Sequence, residues 1–302
     1  MNQVAQVVKN AYQLGLAIPA FNVPYLPMVE PVVKAVVDAD SFAMIESARL
    51  EWIKFEAEGP EVVANEFKKW ANPDHISLHL DHIPVIDEDN ERVQYFPIFE
   101  KSMACGFQSV MIDGSRLDLQ GNIFATKKVV DLAHQTGIPC EAELGAVLGH
   151  EAGPLPPYEE MFASGKGFTR IDEAKRFVAE SGCDWLSVAI GNIHGAISAG
   201  VKDKKKIAAR LNLGHLEKLR DAVDIPLVLH GGSGIPKEYV LASFKRGIAK
   251  INIATEIRQA YETALKESGE VEKAKGATYT KTRWLIEDYF GLAGIANEVT
   301  GK

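Results

Sequence analysis

Cysteine is scarce in this 302-residue chain: Cys105, Cys140 and Cys183 stand far apart and are odd in number. They do not make a disulfide framework, and such usage fits a reducing compartment. Positive charge is also in short supply. Lysine and arginine number 33 against 41 acidic residues, a formal charge of −8, which gives no support to electrostatic binding to nucleic acid or an anionic membrane. An anionic small molecule is not excluded, because a local set of backbone N–H groups and a metal overrides the global sign. No apolar run approaches the length of a membrane span. The opening MNQVAQVVKNAYQLGLAIPAFN lacks the basic-then-apolar layout of a signal peptide. The expected location is cytoplasmic. No low-complexity linker divides the chain, so residues 1–302 are expected to form one domain, with a helical extension over about 266–302.

What the chain does contain is a recurring pair of patterns. Short apolar, β-branched runs predict strands at Ala17–Val23, Ser41–Ser47, His75–His82, Ser109–Ser115, Pro139–Gly145, Trp185–Gly195, Pro226–Gly234 and Lys250–Glu256. Between them, helical spacing appears over Leu119–Gly137, Ile171–Gly182, Leu213–Val223 and Pro236–Gly247. Several helices stop at glycine and pass through Ile-Pro into the next strand. Strands that are mostly continuous apolar runs suit a parallel sheet buried on both faces. Eight βα units predict a closed (β/α)8 barrel with extra C-terminal helices, and an open doubly wound sheet is the runner-up. The segment Ala152–Gly167 is too long for an ordinary connector and is expected to be a functional loop or insertion. The tail reads as helices for packing or oligomer contacts.

Polar residues gather at the C-terminal ends of the predicted strands, which in a barrel converge on one rim where active sites are built. Strand 3 ends in His79-Leu80-Asp81-His82, strand 5 in Glu141-Ala142-Glu143, strand 6 in His194, strand 7 in His230, and strand 8 in Asn252 and Thr255. Three histidines from three strand ends make the ligand set of an open zinc site, with one position left for substrate. Asp81 beside His82, and glycine after both His194 and His230, strengthen that reading. His75, His134 and His215 lack such company, and His79 suits a supporting place behind a ligand. A second signal is His230-Gly231-Gly232-Ser233-Gly234 followed by Asn252-Ile253-Ala254-Thr255. Barrels frequently bind phosphate at these two loops through backbone N–H groups and a helix N-terminus. Glu143 is flanked by apolar residues, where an unpaired charge is costly. A nearby metal or a structural salt bridge each accounts for it.

In order along Ile18–Leu265, the motifs PAFNV, HLDH, SVMIDGS, EAELG, VAIGNIHG, LVLHGGSG and KINIATE resemble the class II fructose- and tagatose-bisphosphate aldolases, a zinc-dependent family. The resemblance implies that His82, His194 and His230 hold zinc and that Asp81 is the acid/base for the C4 hydroxyl proton. It implies that Glu143 lies near an alternative metal position and that Glu151 moves the enolate proton. Gly195, Gly231, Ser233, Asn252 and Thr255 match contacts to dihydroxyacetone phosphate, and Gly232 and Ala254 belong to the same loops. Asn22 and Ser47 match polar positions on the substrate side. Zinc is the implied cofactor, with Na+ or K+ near the phosphate. A sugar phosphate is the implied substrate, and a homodimer or homotetramer the implied assembly.

The expected reaction is reversible cleavage of a ketose 1-phosphate or 1,6-bisphosphate to dihydroxyacetone phosphate and an aldehyde, through an enolate stabilised by zinc as a Lewis acid. A lysine Schiff base is disfavoured: the strand 6 tip has no lysine, and Lys250 is expected at the N-terminal end of strand 8. Departures from the family pattern fall on the aldehyde half. Ala254 replaces an acidic residue, a change nearer the tagatose type, and Ser47-Ala48-Arg49 stands where Ser-Pro-Gly is usual. A modified sugar phosphate is therefore an alternative substrate, with Arg49 or the run Lys202–Lys206 meeting an anionic group. Two other readings use the same residues. One is a barrel hydrolase using metal-activated water, and the other a non-catalytic sensor, against which Asp81 and a loop carboxylate argue.

Overall fold

The computed structural model describes residues 3–145, 158–192, 209–232 and 234–302. Its strands are β1 (Ile18–Asn22), β2 (Ala43–Ala48), β3 (Ile76–Pro84), β4 (Ser109–Asp113), β5 (Cys140–Leu144), β6 (Trp185–Val188), β7 (Leu227–Leu229) and β8 (Ile248–Ile253). They pair in parallel in chain order, and β1 pairs with β8 at Ile18↔Lys250 through Phe21↔Ile253, so the sheet closes. Closure sets aside the open sheet and brings all eight strand C-termini to one rim.

The connectors form where local chemistry calls for them. The helix Leu119–Gln135 begins at Asp118, whose carboxylate accepts from Gly121 N at 2.7 Å. Its run ends at Gly137, with φ +71°, before Ile138 and Pro139 lead into β5. The helix Leu213–Val223 is capped by the Asn212 side chain and ends on Asp224 at φ +50°. The N-terminal helix Gln3–Leu14 buries Val4, Val7, Val8 and Ala11, the spacing of one helical face.

β6 and β8 depart from the runs predicted for them. β6 stops at Val188 because the fully formed turn behind it is held by Asn192. The Asn192 amide oxygen accepts from Ile190 N at 2.8 Å and its Nδ2 donates to His230 O at 2.9 Å. β8 differs at its start. It opens at Ile248, so Lys250 is its third residue, inside the barrel, and not at the N-terminal end where the sequence reading puts it.

The tail is helical, as expected, and it packs on its own chain. Helix Val271–Trp284 lies against the helices Thr255–Ser268 and Val29–Asp38. The last helix, Ala296–Thr300, packs on Gln3–Leu14, with Asn10 Nδ2 donating to Val299 O at 2.8 Å. Gly294 N and Ala296 N donate to Ala39 O and Asp40 O, just ahead of β2. The last turn of the tail thus meets the chain ahead of β2, whereas Tyr289 Oη donates to Ile235 O beyond the C-terminal end of β7. Among the described residues no helix is long and apolar enough to cross a membrane.

Candidate active site

Asp81 and His82 are sequence neighbours on β3, and in regular strand they would face opposite sides. An irregularity lets both reach the rim. The β3–β4 register runs His79↔Ser109 and Leu80↔Val110, then resumes at Ile83↔Ile112, leaving one extra residue on β3. His82 absorbs the bulge at φ +35°, a conformation a side chain other than glycine adopts at a cost.

His82 Nε2 lies 2.7 Å from His230 Nδ1. The far nitrogen of each ring meets a carboxylate: His82 Nδ1 is 3.2 Å from Asp113 Oδ2, and His230 Nε2 is 2.8 Å from Glu141 Oε1. A carboxylate accepts, so each ring donates its outer N–H and turns a lone pair inward. Two lone pairs aimed at one spot need a cation between them, either a proton or a metal ion. Carboxylate-backed imidazoles with converging lone pairs are the arrangement that metal-ligating histidines adopt. The surrounding charges fit this. Burial alone would lower the His82 pKa, but Asp81, Asp113 and Glu143 together push it well above the ordinary value. Burial and the facing His82 depress His230, against the pull of Glu141.

Two groups have metal-ligand spacing around His82: Asp81, His82 and His230, and His82, Asp113 and Glu143. Each set has its ligand atoms within 4.8 Å of one another. Glu143 is buried and pushed up to about 8, by burial first and then by the Asp113 charge. Ser187 Oγ donates to it at 3.2 Å. A cation arriving beside His82 would favour its ionised form.

Asp81 is held by two amides. Asn22 Nδ2 donates to Oδ2 at 2.8 Å and Asn252 Nδ2 to Oδ1 at 3.0 Å. Burial would raise its pKa, but His82, His230 and Lys250 together draw it below the ordinary carboxylate value. Asn22 and Asn252 were expected to face substrate; here both donate to the Asp81 carboxylate. Ser47 is fully buried and its hydroxyl accepts from Trp52 Nε1 at 2.7 Å, anchoring the helix Arg49–Lys54. On β2 the inward residue near the tip is Glu46.

On the far side of the rim, Gly231 has φ +65°. A Cβ on Gly232 would sit 3.0 Å from Ile251 Cδ1, so glycine lets the β7 loop lie close on β8. Ala254 precedes the helix Thr255–Ser268, whose first residue is Thr255, so its N-terminus opens on the rim beside this loop. Arg49 pairs with Asp87 at 3.3 Å. His194, Gly195, Ser233 and Glu151 lie outside the described residues, as do Lys202–Lys206 and the first part of Ala152–Gly167. The rest of that segment contains a helix, Tyr158–Ser164. Tyr158 Oη accepts from Arg210 N at 2.6 Å and lies 3.0 Å from Gly191 O.

Below the rim is a charged layer of which the sequence reading gave a place only to His79, behind a ligand. Lys250 Nζ lies 2.6 Å from Glu46 Oε1, 2.9 Å from Glu141 Oε2 and 2.7 Å from Asn252 Oδ1. His79 Nδ1 contacts Ser109 Oγ at 2.7 Å, and its Nε2 is 3.7 Å from both carboxylates. Burial first, then Lys250, push the His79 pKa down to about 3, so it is neutral. For Lys250 burial works against charge, but Glu141 and Glu46 outweigh it and hold the ammonium. A held ammonium is a poor nucleophile, which argues against an imine at Lys250 more firmly than its supposed strand position. Asp113, also unassigned, could have been noticed as the polar tip of β4, level with the other tips. The remaining histidines among the described residues are structural: His75 contacts Ser41 O, His134 contacts Asp184, and His215 contacts Thr169 O.

The family described as fructose-bisphosphate aldolase class-II matches residues 2–296 of the chain. Among solved structures, the chain is similar to the YdjI aldolase of Escherichia coli K12, at 30% identity and TM-score 0.75, over 97% of this chain and 98% of that one. It is also similar to a protein of Coccidioides immitis assigned as a fructose-1,6-biphosphate aldolase, at 26% identity and TM-score 0.77, over 98% of each chain. Fructose-bisphosphate aldolase of Campylobacter jejuni shares the fold at 17% identity and TM-score 0.72, over 96% and 94%.

Proposed function

Because the chain belongs to the class-II fructose-bisphosphate aldolase family, we propose that it is a zinc-dependent aldolase acting on a ketose 1-phosphate or 1,6-bisphosphate at the His82–His230 rim. The observation that carries this reading is the pair of carboxylate-backed imidazoles whose lone pairs converge beside Asp81. His82 and His230 would hold the metal together with His194, and Glu143 offers an adjacent ligand position. Zinc bound there supplies Lewis-acid stabilisation of the charge that develops on the C2 oxygen of the ketose.

The protein's own residues account for the rest. Asp81, oriented by two amides and held ionised by His82, His230 and Lys250, takes the C4 hydroxyl proton as the C3–C4 bond breaks and the aldehyde forms. Returning that proton drives condensation in reverse. The resemblance gives Glu151 the proton at C3. Gly231, Gly232 and the start of the helix Thr255–Ser268 offer N–H groups to the phosphate of the dihydroxyacetone phosphate half. Ser233 and Gly195 join them by the same resemblance, and Na+ or K+ beside the phosphate would add to the screening of its charge. Ala254 favours a tagatose-type over a fructose-type substrate. Arg49 is the candidate for an anionic group on the aldehyde half. Its bond to Asp87 has to open or tilt for that, so Arg49→Ala should raise KM for a bisphosphate, and an unchanged KM would remove it from the site.

Deuterium exchange from solvent into C3 of dihydroxyacetone phosphate, followed by NMR, tests the reading without knowing the aldehyde. Exchange that stops with a chelator and returns with zinc is expected. Folded, zinc-loaded protein that gives no exchange would sink the aldolase mechanism drawn here. Incorporation of solvent oxygen with no triose released would point instead to hydrolysis.

A further inference from the structure

We propose that Lys250 is a positioning residue that sets the metal-side and proton-side halves of the site at once. Its ammonium is fully buried on β8 and reaches two separate arms. Through Glu141 Oε2, 2.9 Å away, it fixes a carboxylate whose other oxygen receives the His230 Nε2 proton at 2.8 Å. That bond leaves Nδ1 as the lone pair facing His82. Through Asn252 Oδ1, 2.7 Å away, Lys250 settles which end of that amide is the acceptor, so that Nδ2 donates to Asp81 at 3.0 Å. Reversing the amide would set its N–H against the ammonium and its oxygen against the Asp81 carboxylate. One fixed cation thus dictates the tautomer of one rim residue and the orientation of another. Glu46, 2.6 Å away on β2, holds the ammonium from the opposite side.

The ammonium and its two carboxylates come from three strands, β8, β2 and β5, and no two of these three are near each other in sequence. The ammonium is rigid because burial leaves it no water to turn toward, and the two carboxylates hold it charged. Only the metal arm rests on the proposed zinc site. The Asp81 arm stands on hydrogen bonds within the chain.

The test uses the full-length protein carrying Lys250→Met, together with the double variant Lys250→Met/Glu46→Gln, which removes the ammonium along with one of its partner carboxyls and so guards against misfolding. Zinc affinity is measured by chelator competition, and crystal structures report the His230–Glu141 and Asn252–Asp81 contacts. Zinc binding is expected to weaken about 10–100-fold, the usual cost of losing support behind a ligand. Both contacts are expected to break or the Asn252 amide to reverse. Glu141→Gln should weaken zinc binding while leaving Asn252–Asp81 intact, which separates the arms. A folded Lys250→Met protein, single or double variant, with wild-type zinc affinity and both contacts kept overturns the proposal, and so does a Lys250→Met protein in which only one arm is disturbed. If the wild type itself binds no zinc, the proposed metal site fails, and the two contacts alone decide whether Lys250 positions them.

Discussion

Outward from the barrel sheet, Ile45, Leu80, Leu186, Leu229 and Ile251 meet the helical layer and are almost wholly buried. Inward, the neighbouring positions on the same strands carry Glu46, His79, Asp81, Trp185, His230, Lys250 and Asn252, equally buried. The two faces therefore share their burial and differ in what burial requires. On the outer face apolar volume is sufficient, because packing and desolvation both favour it. On the inner face each charge needs an opposite charge or a hydrogen bond, because low dielectric punishes whatever is left alone. Stability resides mainly in the first face and the chemistry in the second.

Substitution should divide along that line. The largest effect is expected at the inner rim, where His230→Ala removes a proposed ligand: dihydroxyacetone phosphate exchange should fall roughly 10³-fold, with zinc content falling in parallel. Retained zinc and exchange would break the comparison at its centre. Asp81→Asn comes next, since it sets an NH2 group against the donors of Asn22 or Asn252 and deletes the proposed base. Cleavage of a ketose bisphosphate should slow by roughly 10²-fold or more, while bound zinc stays near wild type.

The outer face should respond in stability alone. Leu186→Ala, at a fully buried β6 position, is expected to cost about 2–5 kcal/mol. Denaturant unfolding measures this, and the KM of the folded fraction should not move. A change in KM would show that the faces are coupled through the sheet.

The smallest expected effect concerns Glu51, a buried carboxyl behind the β2 tip whose oxygen accepts from Ala48 N at 2.8 Å. Burial pushes its pKa from 4.5 up to about 8. The folded state thus holds the proton more tightly than the unfolded chain. Its stabilising contribution is complete below about 4.5 and is lost as the pH rises through about 8. Glu51→Gln keeps an acceptor for Ala48 and cannot titrate, so its Tm relative to wild type should climb across that range. Glu143 shifts in the same direction but is common to both proteins, so the difference isolates Glu51. A difference that stays flat with pH would show that Glu51 is already ionised in the fold.

Much of the rim was legible beforehand. His82 and His230 end apolar runs, and the structure brings them into contact; Asp81 stands beside them as expected. Asp113 and Glu141 were present in the quoted motifs but drew no role, because a carboxylate behind a ligand has no local signature. Asn22 and Asn252 were read as facing substrate, whereas each spends its amide on Asp81. Lys250 was misplaced because a charge in an apolar run looks like a strand boundary. It is a strand interior here only because two carboxylates from β2 and β5 wait for it.

Local alternation and stop signals by themselves determined eight βα units, the parallel sheet and the polar character of the strand tips. Those properties depend on residues two to four apart, where backbone geometry alone relates them. Barrel closure decided which charge neutralises which, since Glu46, Glu141 and Lys250 come from strands 95 to 204 residues apart. The bulge decided that Asp81 and His82 share a rim, because side-chain direction at an irregular strand depends on how its neighbour pairs. Pairing across space is a property of the folded sheet, and no spacing along the chain encodes it.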